Sequence, residues 1–227
     1  MTKRPVTLTF LAAALGGTLL LLANSAEAAP KSTAKPAIKP PPPDYFPLRV
    51  NDWWKFQTTT GEGKQSDFTM KVISAEKQPD QTVIFKVDTQ STRPIHDWYS
   101  KPTGLVLRHK EQFGDDEKML FSYEPVYSYL KNPLSKDDSW EWKGKGMMGV
   151  DISENAQVSG PEDILVPAGK FSTMKVTTQV TQGGANMTKT YWFANHVGLI
   201  KSATQSGPVG SVTQLVDYSF KPKPKSK

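Results

Sequence analysis

The histidines are the first residues with chemistry to offer, because imidazole serves as a metal ligand and as a general base near neutral pH. The sequence has three of them, His96, His109 and His196. None is spaced as a metal-binding pair such as H-x-x-x-H, and none lies beside a patterned serine or carboxylate motif. The sequence therefore predicts surface histidines, and it predicts no catalytic residue, no metal ligand and no cofactor.

Two runs of acidic residues offer carboxylate chemistry. Asp115-Asp116-Glu117 and Asp137-Asp138 have the residue types of a cation site or of the acid pair of a glycoside hydrolase. Both runs fall where turns are predicted, and Asp is favoured in turns because its carboxylate accepts hydrogen bonds from nearby backbone N–H groups. We therefore expect turn chemistry at both, and a hydrolase would need carboxylates that only the fold brings together.

The chain contains a predicted internal repeat, in which four segments recur in the same order. Trp54 and Phe56 in the first half match Trp140 and Trp142 in the second, and residues two apart on a strand share one face, so these rings are expected in the core. Two half-domains are predicted, at residues 48–124 and 134–220, each an antiparallel meander. The matched segments are 47–56 with 133–142, 69–72 with 173–176, 98–106 with 192–200, and 120–123 with 215–218.

The repeat also selects the candidate ligand-binding residues. Trp98 and Trp192 occupy matched positions; His96 precedes the first, and His196 lies in the turn that follows the second. The duplication would bring both turns to equivalent rims of the domain. His96, Trp98, Trp192 and His196 are therefore the candidate ligand-binding set.

Between Trp53 and Phe220 almost every segment is typical of a β-strand. Short alternating runs rich in Val, Thr and aromatic residues are broken by Gly, Pro, Asn or Asp, and the short connections favour antiparallel hairpins. Only residues 124–134 are predicted to hold a helical turn, as the connection between the two halves. The sequence thus predicts an all-β fold, an antiparallel meander that forms a curved sheet or an open barrel.

The N-terminal segments predict export. Residues 1–28 have a basic start, an apolar stretch and an A-x-A motif ending at Ala28, the pattern of a cleavable signal peptide. Residues 29–47 are rich in Pro, Ala and Lys and predict an extended spacer. The sequence has no cysteine, so a disulfide and a lipidated Cys are both excluded. We expect a periplasmic or extracellular protein that is not lipid-anchored.

The net charge of +6 belongs to the ends of the sequence. Over residues 45–220 the Lys and Arg residues nearly balance the Asp and Glu residues, whereas the basic tail at 221–227 holds only Lys among its charged residues. A nucleic-acid-binding face needs basic residues clustered on the folded surface, so no nucleic-acid partner is predicted. The basic tail is expected to make at most weak contacts with anionic envelope material.

Three segments carry a resemblance to a known family. They are Phe-Pro-Leu-Arg-Val-Asn-Asp-Trp-Trp at 46–54, Val-Pro-Ala-Gly-Lys-Phe at 166–171 and Tyr-Trp-Phe-Ala-Asn-His-Val-Gly-Leu-Ile-Lys at 191–201. Together they resemble the DUF3108-like bacterial envelope proteins, whose domain has no assigned function. Asn51 stands where the family commonly has Gly, and Asn195-His196 replaces a typical Pro-Gly turn. The resemblance implies a curved antiparallel sheet or open barrel, related in shape to periplasmic lipoprotein carriers, and carries no catalytic residue across.

Three functions follow from these observations. The preferred hypothesis is a non-enzymatic exported envelope protein whose curved sheet binds an apolar or polymeric ligand, or a partner protein, because the composition is aromatic and the chain lacks a catalytic motif. The first alternative is a hydrolase of envelope polymers, which requires two buried carboxyls about 5 to 10 Å apart in a cleft. The second is a structural spacer protein without a ligand, which a filled interior would favour.

Overall fold

The computed structural model describes residues 40–221, and the predicted signal peptide at 1–28 lies outside them. Twelve β-strands follow one another in this range, and two short 3-10 turns, Glu117–Met119 and Met147–Gly149, interrupt their connections. The strands are β1 (Trp53–Thr60), β2 (Gln65–Lys77), β3 (Val83–Gln90), β4 (Ile95–Ser100), β5 (Gly104–Phe113), β6 (Leu120–Asn132), β7 (Ser139–Lys145), β8 (Asp151–Val166), β9 (Gly169–Gln182), β10 (Ala185–Ala194), β11 (Gly198–Ser206) and β12 (Val209–Tyr218).

Each strand pairs antiparallel with the next, and β1 also pairs with β12, so the meander closes into a barrel. The closing register runs from Trp54 opposite Tyr218 to Thr60 opposite Ser211. The all-β antiparallel prediction is thus confirmed, with a closed barrel in place of a curved sheet or open barrel. Closure satisfies the backbone groups that an open meander would leave at its two edges.

The prediction for residues 124–134 is wrong. β6 continues through most of this segment, to Asn132, and pairs with β5 through two irregularities in the register. Glu124-Pro125-Val126 interrupts the alternation of apolar and polar residues, which resumes with Tyr-Ser-Tyr at 127–129. A bulge lets the strand continue past such an interruption at the cost of one register shift.

The barrel interior changes character along its length. The largest fully buried side chains are Phe56, Leu130, Phe193, Ile200 and Leu215, and they belong to the end of the barrel where both termini of the described chain lie. We call this the capped end, because residues 44–48, which we call the strap, pack across it. Towards the opposite end, charged and hydroxyl-bearing side chains face inward.

The strap differs from the sequence prediction, which placed residues 44–47 in the extended spacer. Phe46 is only 9% exposed. Its ring lies 5.1 Å from that of Tyr99 and 5.3 Å from that of Tyr129, measured between ring centres. A buried aromatic side chain adds a large apolar area to the core. The folded unit therefore begins before the first strand.

The predicted repeat can be followed along the strands. Trp54 and Trp140 lie on β1 and β7, Trp98 and Trp192 on β4 and β10, so these matched residues are six strands apart. The 69–72 and 173–176 segments lie instead on β2 and β9. The hydrogen bonds of the turns instead match Val72 with Val158 on β8. The Val72 N–H donates to the Asp52 carbonyl at 3.0 Å, and the Val158 N–H donates to the Asp138 carbonyl at 2.8 Å. Duplication itself stays a prediction.

Candidate functional site

Asp44 attaches the strap to the barrel. Its carboxylate accepts hydrogen bonds from Lys101 Nζ at 2.7 Å, from Asn132 Nδ2 at 2.8 Å and from the Phe46 N–H at 3.0 Å. The Asp44 carbonyl accepts a further bond from the His196 N–H at 2.7 Å. The strap is therefore held by groups from two connections between strands and from the end of β6.

The pKa of Asp44 reflects these contacts. Burial acts to raise the pKa, but the hydrogen bonds from Lys101 and Asn132 and the charge of Lys101 outweigh it, so the pKa lies below its ordinary value. The carboxylate is consequently ionised at neutral pH. The ion pair with Lys101 therefore holds the strap in place at neutral pH.

A groove of 830 Å³ lies beside the strap at the capped end. Leu48, Val83 and Phe85 give it an apolar floor, and Lys101 and His196 belong to its polar rim. Its size is that of a typical site for a small molecule, and such sites combine apolar surface with a few polar groups. The other lining residues are Pro41, Asp44, Pro47, Arg49, Asp80, Gln81, Thr82 and Pro102.

A charged cluster occupies the barrel interior nearer the opposite end. Arg108 Nε donates to Asp97 Oδ1 at 2.8 Å, and Arg108 Nη2 contacts both Asp97 Oδ1 and Glu111 Oε1, the latter at 2.6 Å. Arg108 Nη1 donates to the Tyr123 hydroxyl at 3.0 Å, and that hydroxyl donates to Glu111 Oε2 at 2.6 Å. The four side chains form one closed network around the guanidinium.

Burial governs the protonation of this cluster. It raises the pKa of the Asp97 carboxyl, and this effect outweighs the opposing charge of Arg108. Burial acts to lower the pKa of Arg108, but Tyr99, Asp97 and Glu111 hold it well above its ordinary value. Burial likewise raises the pKa of Tyr129 to about 12. The guanidinium therefore stays charged, and Asp97 is the carboxyl whose ionisation the interior opposes.

A second polar group lies inside the barrel on β6, β8 and β10. The Tyr127 hydroxyl donates to Glu154 Oε2, and Lys189 Nζ lies 3.7 Å from Glu154 Oε1. Glu154 is 9% exposed, so its carboxylate is largely removed from water, and it has a hydrogen bond from Tyr127 and the positive charge of Lys189 in exchange. Within residues 40–221 no fully buried side-chain nitrogen or oxygen lacks a hydrogen-bond partner. The buried polar side chains of the interior thus all have hydrogen-bond partners.

Asp97 and Glu111 do not form a hydrolytic pair. Asp97 and Glu111 both bind the same Arg108 nitrogen, so the guanidinium fills the space that a glycosidic bond would need. The Ser100 hydroxyl lies 2.8 Å from His109 Nε2, but Ser100 is 2% exposed and is not presented to a substrate. Among the described residues, no three His, Cys, Asp or Glu side chains are grouped closely enough to hold a metal ion.

The four predicted ligand residues do not meet. His96 lies at the start of β4, near the opposite end, and its Nδ1 is 2.8 Å from Asp88 Oδ1. His196 lies at the capped end, in the turn after β10, and lines the groove. Trp98 and Trp192 point outward from β4 and β10, on the faces away from buried Tyr99 and Phe193. The expected equivalence of the two histidine turns is therefore wrong, because the turns lie at opposite ends.

The predicted acidic turns have the expected local chemistry. Asp116 Oδ1 accepts from the Lys118 N–H at 2.9 Å, and Asp138 Oδ2 accepts from the Ser135 N–H at 2.9 Å. Both carboxylates thus cap turns in the way that the sequence predicts.

The sequence prediction missed the Arg108 cluster, although part of it was detectable. Arg108 is two residues from buried Val106, and Asp97 is two residues from buried Tyr99, so both charges occupy core-facing positions of their strands. A charged residue at a core-facing position of a strand indicates an ion pair inside the fold. Glu111 gives no such signal, because the register shift between Arg108 and Lys110 changes which residues face inward.

Comparison with known proteins defines the fold class. No model of a known protein family matches the sequence, and no curated protein matches it. The fold is shared with a protein of Bacteroides fragilis described as exported and as having a YmcC-like fold, at 13% identity and a TM-score of 0.52, covering 78% of this chain and all of the other. It is shared also with a protein of Parabacteroides distasonis described as a lipoprotein, at 14% identity and a TM-score of 0.53, covering 79% and 100%.

No helix within residues 40–221 has both the length and the apolar character needed to cross a membrane.

Proposed function

We propose that this protein is a non-enzymatic exported protein of the cell envelope that binds an apolar or amphipathic ligand in the groove at the capped end. Export is supported by the predicted signal peptide and by the likeness in fold to a protein described as exported. The DUF3108-like resemblance stays part of the same proposal. The observation that carries the binding function is the groove of 830 Å³ with its apolar floor.

The barrel interior supports a site outside the lumen. Its capped half is filled by apolar side chains, and its other half holds polar groups that bind one another. A ligand entering the lumen would have to break the Arg108 network, which costs several kcal/mol for a buried charge left unpaired. The groove offers apolar surface at Leu48, Val83 and Phe85 without that cost.

The polar rim indicates how a ligand would be oriented. Lys101 and Asp44 bind each other on one side of the groove, and Asp80 and Gln81 belong to the turn between β2 and β3. An apolar body would lie on the floor, with any polar head directed at the rim and at water. Such a division of contacts is typical of sites for amphipathic molecules.

The test is native mass spectrometry of the protein purified from the periplasm of a bacterial host, followed by solvent extraction. We expect a co-purifying mass that Val83→Asp removes, because a carboxylate placed on the groove floor disfavours an apolar ligand. Val209→Asp is the matched control, since Val209 is also exposed but lies at the opposite end. A ligand-free wild-type protein, or a bound mass equal in both variants, would refute the proposal.

A further inference from the structure

The outward tryptophans have matching surroundings on the two sides of the barrel. Trp98 on β4 lies between Lys86 on β3 and Lys110 on β5, each directly opposite it in the strand register. Trp192 on β10 lies in the same way between Lys175 on β9 and Lys201 on β11. A single half-buried outward Trp beside a Lys would be unremarkable, but both rings are flanked by Lys on both neighbouring strands.

Three of the four lysines approach the rings. Lys175 Nζ and Lys201 Nζ lie 5.9 and 5.0 Å from the centre of the Trp192 ring, and Lys86 Nζ lies 5.5 Å from that of Trp98. An ammonium group at these distances is attracted by the negative face of the ring. Each tryptophan thus gathers positive charge around a flat apolar surface.

Most of this charge has no carboxylate partner. Within the described range, Lys110, Lys175 and Lys201 have no carboxylate oxygen within 4.0 Å. Lys86 has a distant partner, with Asp88 Oδ1 at 3.8 Å. Glu162 lies near the second site, but its carboxylate accepts the hydrogen bond of the Trp192 indole N–H. The ammonium groups therefore stay available to an external anion.

The same kind of register shift lies beside both rings. The register of β4 with β5 shifts between Trp98 and Tyr99, and the register of β10 with β11 shifts between Trp192 and Phe193. Such bulges re-aim side chains and are common beside functional sites. The unpaired residue of each shift lies on the neighbouring strand, His109 on β5 and Ile200 on β11, and each Trp lies on the outer face because side chains alternate along its own strand.

The two sites lie on opposite sides of the barrel. In the closed order of strands, five strands separate β4 from β10 in either direction. A flat lipid surface would contact one site and leave the other in water. A flexible polymer has no such restriction, since separate chains, or distant parts of one chain, reach both sides.

The geometry points to two binding sites of similar composition for an acidic polysaccharide, one at Lys86-Trp98-Lys110 and one at Lys175-Trp192-Lys201. The indole ring offers a flat surface for the C–H face of a sugar, and the flanking ammonium groups bind carboxylate or phosphate groups at its edge. The protein then joins polymer chains, because it binds at two opposite sides. These sites are separate from the groove and do not depend on a ligand there.

The first test measures binding to polygalacturonate, with neutral dextran as the control polymer, by affinity electrophoresis of the mature chain. The four tail lysines, 221, 223, 225 and 227, are replaced by Gln throughout, so that the tail does not contribute. We expect retardation by polygalacturonate alone, and at least about tenfold weaker binding when Lys86, Lys110, Lys175 and Lys201 are all replaced by Gln. The corresponding Arg variants keep the charge and should bind.

A charge-matched control separates specific binding from net charge. Lys64→Gln and Lys143→Gln remove two exposed lysines that have no outward Trp between them and should leave binding unchanged. The Lys175→Gln and Lys201→Gln pair should remove one site and leave the other. Equal loss from both pairs, or binding to anionic lipid vesicles but not to polygalacturonate, would overturn the inference.

The second test addresses the placement of the sites. Two opposite sites make the monomer bivalent, so it should cross-link polygalacturonate and raise the turbidity of the mixture. A variant with one site removed should still bind but should no longer cross-link. Turbidity that survives in the one-site variants would contradict the placement. Val83→Asp should change neither result, so this inference and the groove proposal fail or succeed separately.

Discussion

Gly144 on β7 faces the backbone carbonyl of Glu124 on β6 so closely that a Cβ added to Gly144 would lie 2.6 Å from that oxygen. The same Cβ would lie 2.5 Å from the Trp142 ring. This contact matters because Glu124 opposite Lys145 is the only registered pair between β6 and β7, two strands that lie wholly within the described residues. Glycine is required here for close approach.

Gly144→Ala should therefore destabilise the barrel by about 1 to 3 kcal/mol, the usual cost of overpacking. Neither a backbone carbonyl nor a buried indole can move far, so the strands must separate where they are least paired. Urea denaturation monitored by tryptophan fluorescence measures the change in the free energy of unfolding. Gly61→Ala is the matched control, because its Cβ would meet the nearest atom, the Gly210 oxygen, at an ordinary 3.5 Å. Equal stability of the two variants would show that the contact between β6 and β7 tolerates the methyl group.

Much of the barrel could be predicted from sequence because alternation and turn residues specify strands locally. Closure could not be predicted in this way: Trp54 meets Tyr218 at the two ends of the folded chain, and no local pattern reports such a pairing. The strap was missed for a related reason. Phe46 sits in a Pro-rich segment, and only its contacts with Tyr99 and Tyr129 show that it belongs to the core.

The candidate sites were likewise predictable only where a local pattern in the sequence reports them. Trp98 and Trp192 were recognisable as matched residues, but their flanking lysines come from neighbouring strands and need the register to be known. The groove itself was not predicted, and His196 is the one candidate ligand residue in its lining, since the rest of that lining comes from the strap, from β3 and from distant turns. Bulges limited the prediction of the interior, because one register shift moves Glu111 to the inner face.

Arg108→Met should cost about 3 to 5 kcal/mol, because it leaves the buried carboxylates of Asp97 and Glu111 without a positive charge. Adding Asp97→Asn and Glu111→Gln should recover a large part of that loss, since no charge then remains in the cluster. The two variants are compared by urea denaturation under one set of conditions. A triple variant less stable than Arg108→Met would show that the cluster stabilises the fold through packing and not through charge balance.

The pH dependence of stability should have opposite signs at Asp97 and Asp44. Burial raises the pKa of Asp97, so above 3.8 the folded state holds a proton that the unfolded chain has released, and the stability of the wild type relative to Asp97→Asn should fall as pH rises until the raised pKa is passed. Asp44 has a lowered pKa. Its contribution relative to Asp44→Asn should be complete above 3.8 and should be lost as pH falls below it.

Urea denaturation of the wild type and both Asn variants, from about pH 2 to about pH 7, measures these differences directly. Asp44→Asn keeps a hydrogen-bond acceptor for Lys101 but removes the negative charge, so the comparison isolates the ion pair that holds the strap. A difference for Asp97 that grows with pH would mean that Arg108 dominates burial in the interior cluster. The Asp97 carboxylate would then be an ordinary member of a buried ion pair. Burial would not oppose its ionisation.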